Sequence, residues 1–224
     1  MGFNITRISW RGSLWEYSRV RTMYSSAIRN KKPFVNIKSP GSVLDIGCGA
    51  NLHDENINLD YSWRPGIDIC CDITKGLPLP NDYVSGVFTE HCLEHISFEH
   101  AFGVLEEVFR VCQSGAYVRI VVPCLEIYVD NYVAIRDDGV GSIPYGENDL
   151  ACGINSPAMG VNRIMHSHGH QFIYDFETLR LMLGRVGFEE VSKVSFMRGS
   201  DDRLLLDTPR RAVESLYVEA RKPR

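Results

Sequence analysis

This chain of 224 residues has no apolar run long enough to cross a membrane as a helix. Its first ten residues, Met1 to Trp10, lack the apolar centre of a secretory leader. There is no basic excess either: the net charge is −4, which argues against a dedicated nucleic-acid binder. No internal repeat or low-complexity tract occurs. Cysteine is not scarce, at seven, but the number is odd, and most sit in or beside expected strands and helices (Cys48, Cys70, Cys71, Cys92, Cys112, Cys124). They read as buried free thiols in a reducing cytoplasm. Cys70-Cys71 has no partner at a zinc-like spacing, so no cysteine metal site is expected.

With 44% hydrophobic and 23% charged residues, the chain reads as one globular domain spanning 1–224. An N-terminal helical segment covers 1–40. Ser13 and Glu16 have the form of a capping box, and Tyr17, Val20, Tyr24, Ala27 and Ile28 recur at helical spacing. That helix is expected to pack on the sheet with a solvated basic face; the sharper readings are a lid over the cofactor or a grip on an anionic acceptor.

Val43-Leu-Asp-Ile-Gly-Cys-Gly-Ala50 carries the most information. An apolar run ends in an acid and Gly-x-Gly follows at once, as at the carboxyl end of a buried parallel strand where a ligand meets backbone. The third glycine of the dinucleotide fingerprint is missing, because Asn51 and Leu52 follow Ala50. Further strands are expected to end at Asp60, at Cys71 beside Asp72, at Thr89 beside Glu90, and at Val122. About ten residues separate Gly49 from Asp60, too few for the usual helical crossover. The first crossover helix is therefore expected to be truncated.

Ser97 is expected to cap a helix striped by Phe98, Phe102, Leu105, Phe109 and Cys112 and ending near Ser114-Gly115. Asp175 should cap another, with Tyr174 stapled against Leu179 and Gly187 at its end. Val191–Phe196 and Ser215–Ala220 close the sheet as an antiparallel pair. Residues 125–171 show little periodicity and read as a long functional loop, an insertion at the acceptor site.

The ordered set of DIGCG (45–49), NLD (58–60), D-x-x-x-x-L-P-x-P (72–80) and EH-x-LEH (90–95) resembles the class I S-adenosylmethionine-dependent methyltransferases, in particular small bacterial enzymes. The likeness runs from about Ser42 to Gln113, and more loosely through Gly169–Phe188 to Ser215–Pro223. It implies a Rossmann-like α/β sandwich, a mostly parallel seven-stranded sheet with an antiparallel last strand, and S-adenosylmethionine as cofactor. It implies cofactor contacts at Asp45, Gly47, Cys48, Gly49, Asp60, Asp72, Ile73, Glu90 and His91. Within these, the backbone at Gly47 and Gly49 suits the methionine tail and ribose, Asp45 the ammonium, Asp60 the ribose hydroxyls, and Asp72-Ile73 the adenine. For a lone Asp, the rival reading is a solvated turn cap.

The expected reaction is methyl transfer to a small polar acceptor, at a hydroxyl oxygen of a saccharide or secondary metabolite. A hydroxyl acceptor calls for a base, and histidine is best tuned near neutral pH. His91, His95, His166, His168 and His170 are the candidates, with His166 singled out as the base; His95 reads first as satisfying the turn into its helix and second as catalytic. In His166-Ser-His-Gly-His170, alternate residues share a face only if extended, so polar lining of the acceptor pocket is preferred to metal binding. His91-Cys-Leu-Glu-His95 spells H-x-x-E-H, a zinc-peptidase pattern, but His91 is expected before the helix starts, and no metal is assigned. Tyr128, Asp130, Tyr132, Arg198, Asp201, Asp202 and Arg203 are expected as further acceptor contacts. Two other classes stay open: a nicotinamide-dependent oxidoreductase, and a catalytically silent protein that keeps the cofactor fold.

Overall fold

The computed structural model describes residues 19–31, 38–142, 144 and 156–224. The expected capping box at Ser13 and Glu16 lies outside them. Seven strands form one sheet: β1 (Val43–Ile46), β2 (Ile57–Asp60), β3 (Ile69–Cys70), β4 (Val84–Glu90), β5 (Cys112–Pro123), β6 (Glu189–Val194) and β7 (Ser215–Arg221), in the order β3-β2-β1-β4-β5-β7-β6. The first five run parallel, and β7 is antiparallel to both β5 and β6. This is the expected Rossmann-like topology. Among the described residues five α-helices accompany it: α1 (Arg19–Ile28), α2 (Phe98–Val111), α3 (Leu125–Asp138), α4 (Pro157–His166) and α5 (Phe176–Val186).

Both sheet faces bury apolar side chains, as parallel strands require. On one face Leu44, Ile46, Val87, Val118 and Ile120 pack with Val104, Leu105 and Val108 of α2 and Leu179 and Leu183 of α5. On the other, Val43, Phe88, Val121 and Tyr217 pack with Leu204, which belongs to the strap between β6 and β7. Arg119 of β5 anchors that strap. It is fully buried, donates to Asp207 Oδ1 at 2.7 Å and Glu219 Oε1 at 2.8 Å, and also to the carbonyls of Ser195 and Arg198.

Residues 47–56, between β1 and β2, hold no helix, so the crossover is truncated as expected. The next two connections also lack an α-helix, and only a 3-10 turn at Ile73–Lys75 lies between β3 and β4. Helix α1 compensates at this edge. Ser25 Oγ accepts from the Trp63 N–H at 2.9 Å, Arg21 donates to the Trp63 carbonyl, and Arg29 stacks 3.4 Å over the Tyr61 ring.

Several expectations are corrected. Residues 125–171 are not one loop: α3 and α4 occupy much of that stretch. Leu125, Tyr128, Val129, Tyr132 and Val133 do recur at helical spacing, but intervening polar residues dilute the pattern, and only Tyr128 is buried on α3. Helix α2 ends at Val111, and Cys112 starts β5 instead of finishing the helical stripe. Ser114-Gly115 lies inside the strand, where its register against β4 shifts, with Gly115 at φ +80°. The buried face of α2 is Ala101, Val104, Leu105, Val108 and Val111, so Phe98 is left exposed. Asp175 caps α5 as expected, accepting from the Thr178 N–H at 2.8 Å, and Gly187 ends it at φ +113°.

Candidate active site at the carboxyl edge of the sheet

The turn after β1 is held by backbone. The N–H groups of Gly47 and Cys48 donate to the Leu59 carbonyl at 2.8 and 3.2 Å, tying the turn to β2. Gly47 sits at φ +75°, and a Cβ there would lie 2.8 Å from Cβ and Sγ of Cys92. Two constraints thus require glycine: left-handed backbone and close packing against the turn after β4. Gly49, at φ +58°, donates its N–H to Asp60 Oδ2 at 3.0 Å. Cys48 is buried, and burial pushes its thiol well above the usual range, so it stays neutral.

Beside this turn opens a cavity of about 510 Å³. Gly47 and Asp60 line one part, Asp72 and Ile73 another, and His91 and His95 a third. The turn at Gly47 therefore has open space next to it. Asp60 Oδ1 also accepts from the Ser62 N–H at 2.7 Å. Each carboxylate oxygen keeps a second acceptor site, so Asp60 can still receive hydroxyl donors. Asp72 accepts from the Thr74 N–H and hydroxyl at 3.2 and 2.6 Å. Burial pulls its carboxyl upward, but the Thr74 hydrogen bonds and Lys75 outweigh it, so Asp72 lies below the usual range and is ionised.

Two predicted residues stand behind the cavity wall. Asp45 is buried, and desolvation, with Glu90 and Asp60 adding repulsion, pushes its carboxyl up to about 8. Glu90 accepts from the N–H and hydroxyl of Thr208 and so ties the end of β4 to the segment before β7. Three carboxyl groups, Asp45, Asp60 and Glu90, thus converge behind the turn, an environment in which a cation is favoured over a further anion.

His91 occupies a left-handed backbone position at φ +49°, with its N–H donating to the Val121 carbonyl at 2.8 Å. Its Nε2 lies 2.8 Å from Ser215 Oγ, and Nδ1 lies 3.4 Å from Glu94 Oε1. Burial first, then the neighbouring Arg211, His170, His95 and Arg210 charges, push His91 down to about 3, so it is neutral. Leu93–His95 form a 3-10 turn ahead of α2, which separates the two histidines of H-x-x-E-H from any common helical face. Glu94 is fully enclosed, and burial pushes its carboxyl up to about 8.

A second cavity, of about 380 Å³, adjoins this point and is lined by His91, Glu94, His95, Tyr128, His168 and His170, with Arg163, Arg210, Arg211 and Glu214 beyond. His91 and His95 face both cavities. Tyr128 donates to Glu214 Oε2 at 2.8 Å, which links α3 to the segment before β7. The histidine run divides. His166 ends α4, is exposed and lines neither of these two cavities, whereas His168 and His170 line the second. Asp130, Tyr132, Arg198, Asp201, Asp202 and Arg203 also stand outside both. Asp201 and Arg203 pair with each other at 2.6 Å, and Arg203 donates to Ser85. Sequence reasoning missed Glu94, although it sits within the EH-x-LEH motif, and Arg163, Arg210, Arg211 and Glu214. The Arg210-Arg211 doublet after Pro209 was the available signal.

No family model and no curated protein sequence matches the chain. Solved structures do. An S-adenosylmethionine-dependent methyltransferase from Mesorhizobium loti aligns with a TM-score of 0.51 at 16% identity, covering 93% of this chain and all of that one. Phosphoethanolamine N-methyltransferase 2 of Haemonchus contortus, in complex with S-adenosylmethionine, aligns at 0.50 with 12% identity, over 85% of this chain and 50% of that one. The fold is that of the S-adenosylmethionine-dependent methyltransferases. At these identities the likeness concerns backbone architecture; the chemistry has to be argued from this chain's own side chains.

Proposed function

We propose that this protein transfers a methyl group from S-adenosylmethionine to a small polar acceptor, at a hydroxyl oxygen of a saccharide or secondary metabolite. The observation that carries this reading is the pair of adjoining cavities that meet at His91 and His95. One is bordered by the glycine turn and by acids at strand ends, the other by arginine, histidine and tyrosine. A two-substrate transfer needs such a pair, because donor and acceptor must be aligned and water excluded between them.

The residues of the first cavity fit the donor. Asp60 retains acceptor capacity for the ribose hydroxyls, and Asp72 with Ile73 borders the adenine end. Glu90 and Asp45 stand behind the turn, where the donor's cationic tail would lie and would draw the proton off the Asp45 carboxyl. Neutral Cys48 adds no competing charge. The donor, when bound, supplies an electrophilic methyl group. His91, held neutral by its surroundings, brings no positive charge to repel the donor's sulfonium. In the metal-free protein the acceptor's proton is taken up at the imidazoles of His95 and His170 rather than at Glu94, which already holds a proton, or at His166, which lies away from the junction.

Calorimetry with S-adenosylhomocysteine, beside a nicotinamide dinucleotide, tests the reading. Saturable binding of the first alone is expected. Binding of the dinucleotide alone would favour the oxidoreductase class, and binding of neither would leave a silent protein with the cofactor fold; both results overturn the proposal.

A further inference from the structure

We infer that Glu94, His95 and His170 form a binding site for a divalent first-row transition ion, open towards the second cavity. One ligand atom from each of the three residues falls within 4.8 Å of the other two. The histidines come from separate segments, the turn before α2 and the loop after α4, and their rings stand 4.9 Å apart at 66°. His170 Nδ1 lies 2.6 Å from the Ile164 carbonyl, which makes Nδ1 the protonated nitrogen and leaves Nε2 with a free lone pair. A carbonyl accepting from the far nitrogen is how metal-binding imidazoles are oriented.

Glu94 supplies the independent observation. It is fully enclosed, yet among the described residues neither of its carboxylate oxygens has a hydrogen-bond partner. Its nearest basic neighbours are neutral imidazoles, His91 Nδ1 at 3.4 Å and His95 Nε2 at 3.8 Å. A buried carboxylate without partners is costly, and a bound cation removes that cost. Two imidazoles and one carboxylate are the donor set of Zn²⁺ and Fe²⁺ sites that keep coordination positions open. Bonding to one ion requires the donors to approach to about 3.3 Å of each other. His95 has an exposed side chain and can make that movement by rotation.

The arginines of the same cavity, Arg163, Arg210 and Arg211, name the rival occupant, a simple anion without a metal. A cation at Glu94 and arginines beyond it are also compatible with each other if the acceptor bridges them with a ligating oxygen and an anionic group. The site does not depend on the methyl-transfer reading, because metal binding is measured directly.

The test is titration of chelator-stripped protein with Co²⁺, followed by its visible absorption, with Zn²⁺ as competitor and inorganic phosphate as a separate arm. One Co²⁺ per chain, displaced by Zn²⁺, is expected. Glu94→Gln and His170→Ala should each weaken it by at least about 100-fold, beyond the usual loss when only a group hydrogen-bonded to a ligand is changed. His166→Ala should leave it unchanged. His170 is only half-buried, so that variant keeps the test decisive if Glu94→Gln fails to fold. Absence of Co²⁺ binding, binding of phosphate alone, or equal weakening by His166→Ala (loop chelation by the histidine run) would each overturn the site. Binding of S-adenosylhomocysteine to the same stripped protein reports on the donor cavity alone, so the two readings fail separately.

Discussion

Asp60 acts twice at the level of single residues: it organises the loop at Gly49 and Ser62, and it faces the larger cavity with acceptor sites to spare. Loss of a charged hydrogen-bond acceptor costs about 1.5–3 kcal/mol, roughly 10–100-fold in affinity. Asp60→Ala is therefore expected to weaken S-adenosylhomocysteine by that factor in calorimetry, and an unchanged Kd would remove Asp60 from the ribose. Gly47→Ala should act on stability, since it adds left-handed strain and a contact with Cys92. A loss of roughly 2–4 kcal/mol is expected in urea titration. The positions of single residues were legible where local grammar writes them: the glycine turn at 47 and 49, the acid that ends β2, the cap at Asp175. His166 stands exposed at the end of its helix, apart from both cavities. The chain leaves α4 at His166 and turns through His168 at φ +61° and Gly169 at φ +82°, which sends His168 and His170 to the cavity without it.

Secondary-structure elements explain why the second cavity was unreadable in advance. Its walls come from the end of β4, the first turn of α3, α4, the loop after it and the segment before β7, which only the fold brings together. The strap between β6 and β7 delivers Arg210, Arg211 and Glu214, and the buried cation of Arg119 secures it to β5. Met197 and Ser200 N–H groups also donate to Asp207 and Glu219, so both acids are committed to this strap. Arg119→Met would leave two enclosed carboxylates without their cation. Breaking a buried ion pair from one side costs about 3–5 kcal/mol. The expected outcome is a lower Tm together with weaker acceptor binding; a variant as stable as the parent would show that the strap is held mainly by its apolar contacts at Leu204.

For the whole molecule, folding stability should carry the imprint of the enclosed acids. Asp45, raised from 3.8 to about 8, holds a proton in the folded state that the unfolded chain releases. Its contribution is full below the unfolded value and is lost as pH rises towards 8. Glu94, raised from 4.5 to about 8, has the same sign. His91, lowered from 6.5 to about 3, has the opposite sign, adding stability as pH rises through that interval and nothing above it. The window from pH 6.5 to 8 therefore isolates the acids in metal-free protein, and stability should fall across it. Asp45→Asn should flatten the decline by up to about 1.4 kcal/mol per pH unit. Urea titrations at the two ends of the window measure it, and a parallel slope in the variant would show that Asp45 is ionised.

The bare connections beside β1, β2 and β3 have a further consequence. A helix that crosses back over a sheet clamps two strands together through contacts close in sequence; β4 and β5 have such a clamp in α2, and the strands beside the donor cavity do not. The cavity's own floor should thus be the part of the sheet that opens first. Amide exchange followed by mass spectrometry is expected to find β2 and β3 deuterating well before β4 and β5, with the gap narrowing once S-adenosylhomocysteine is added. The molecule would then use its ligand as the missing clamp, finishing its sheet only when loaded.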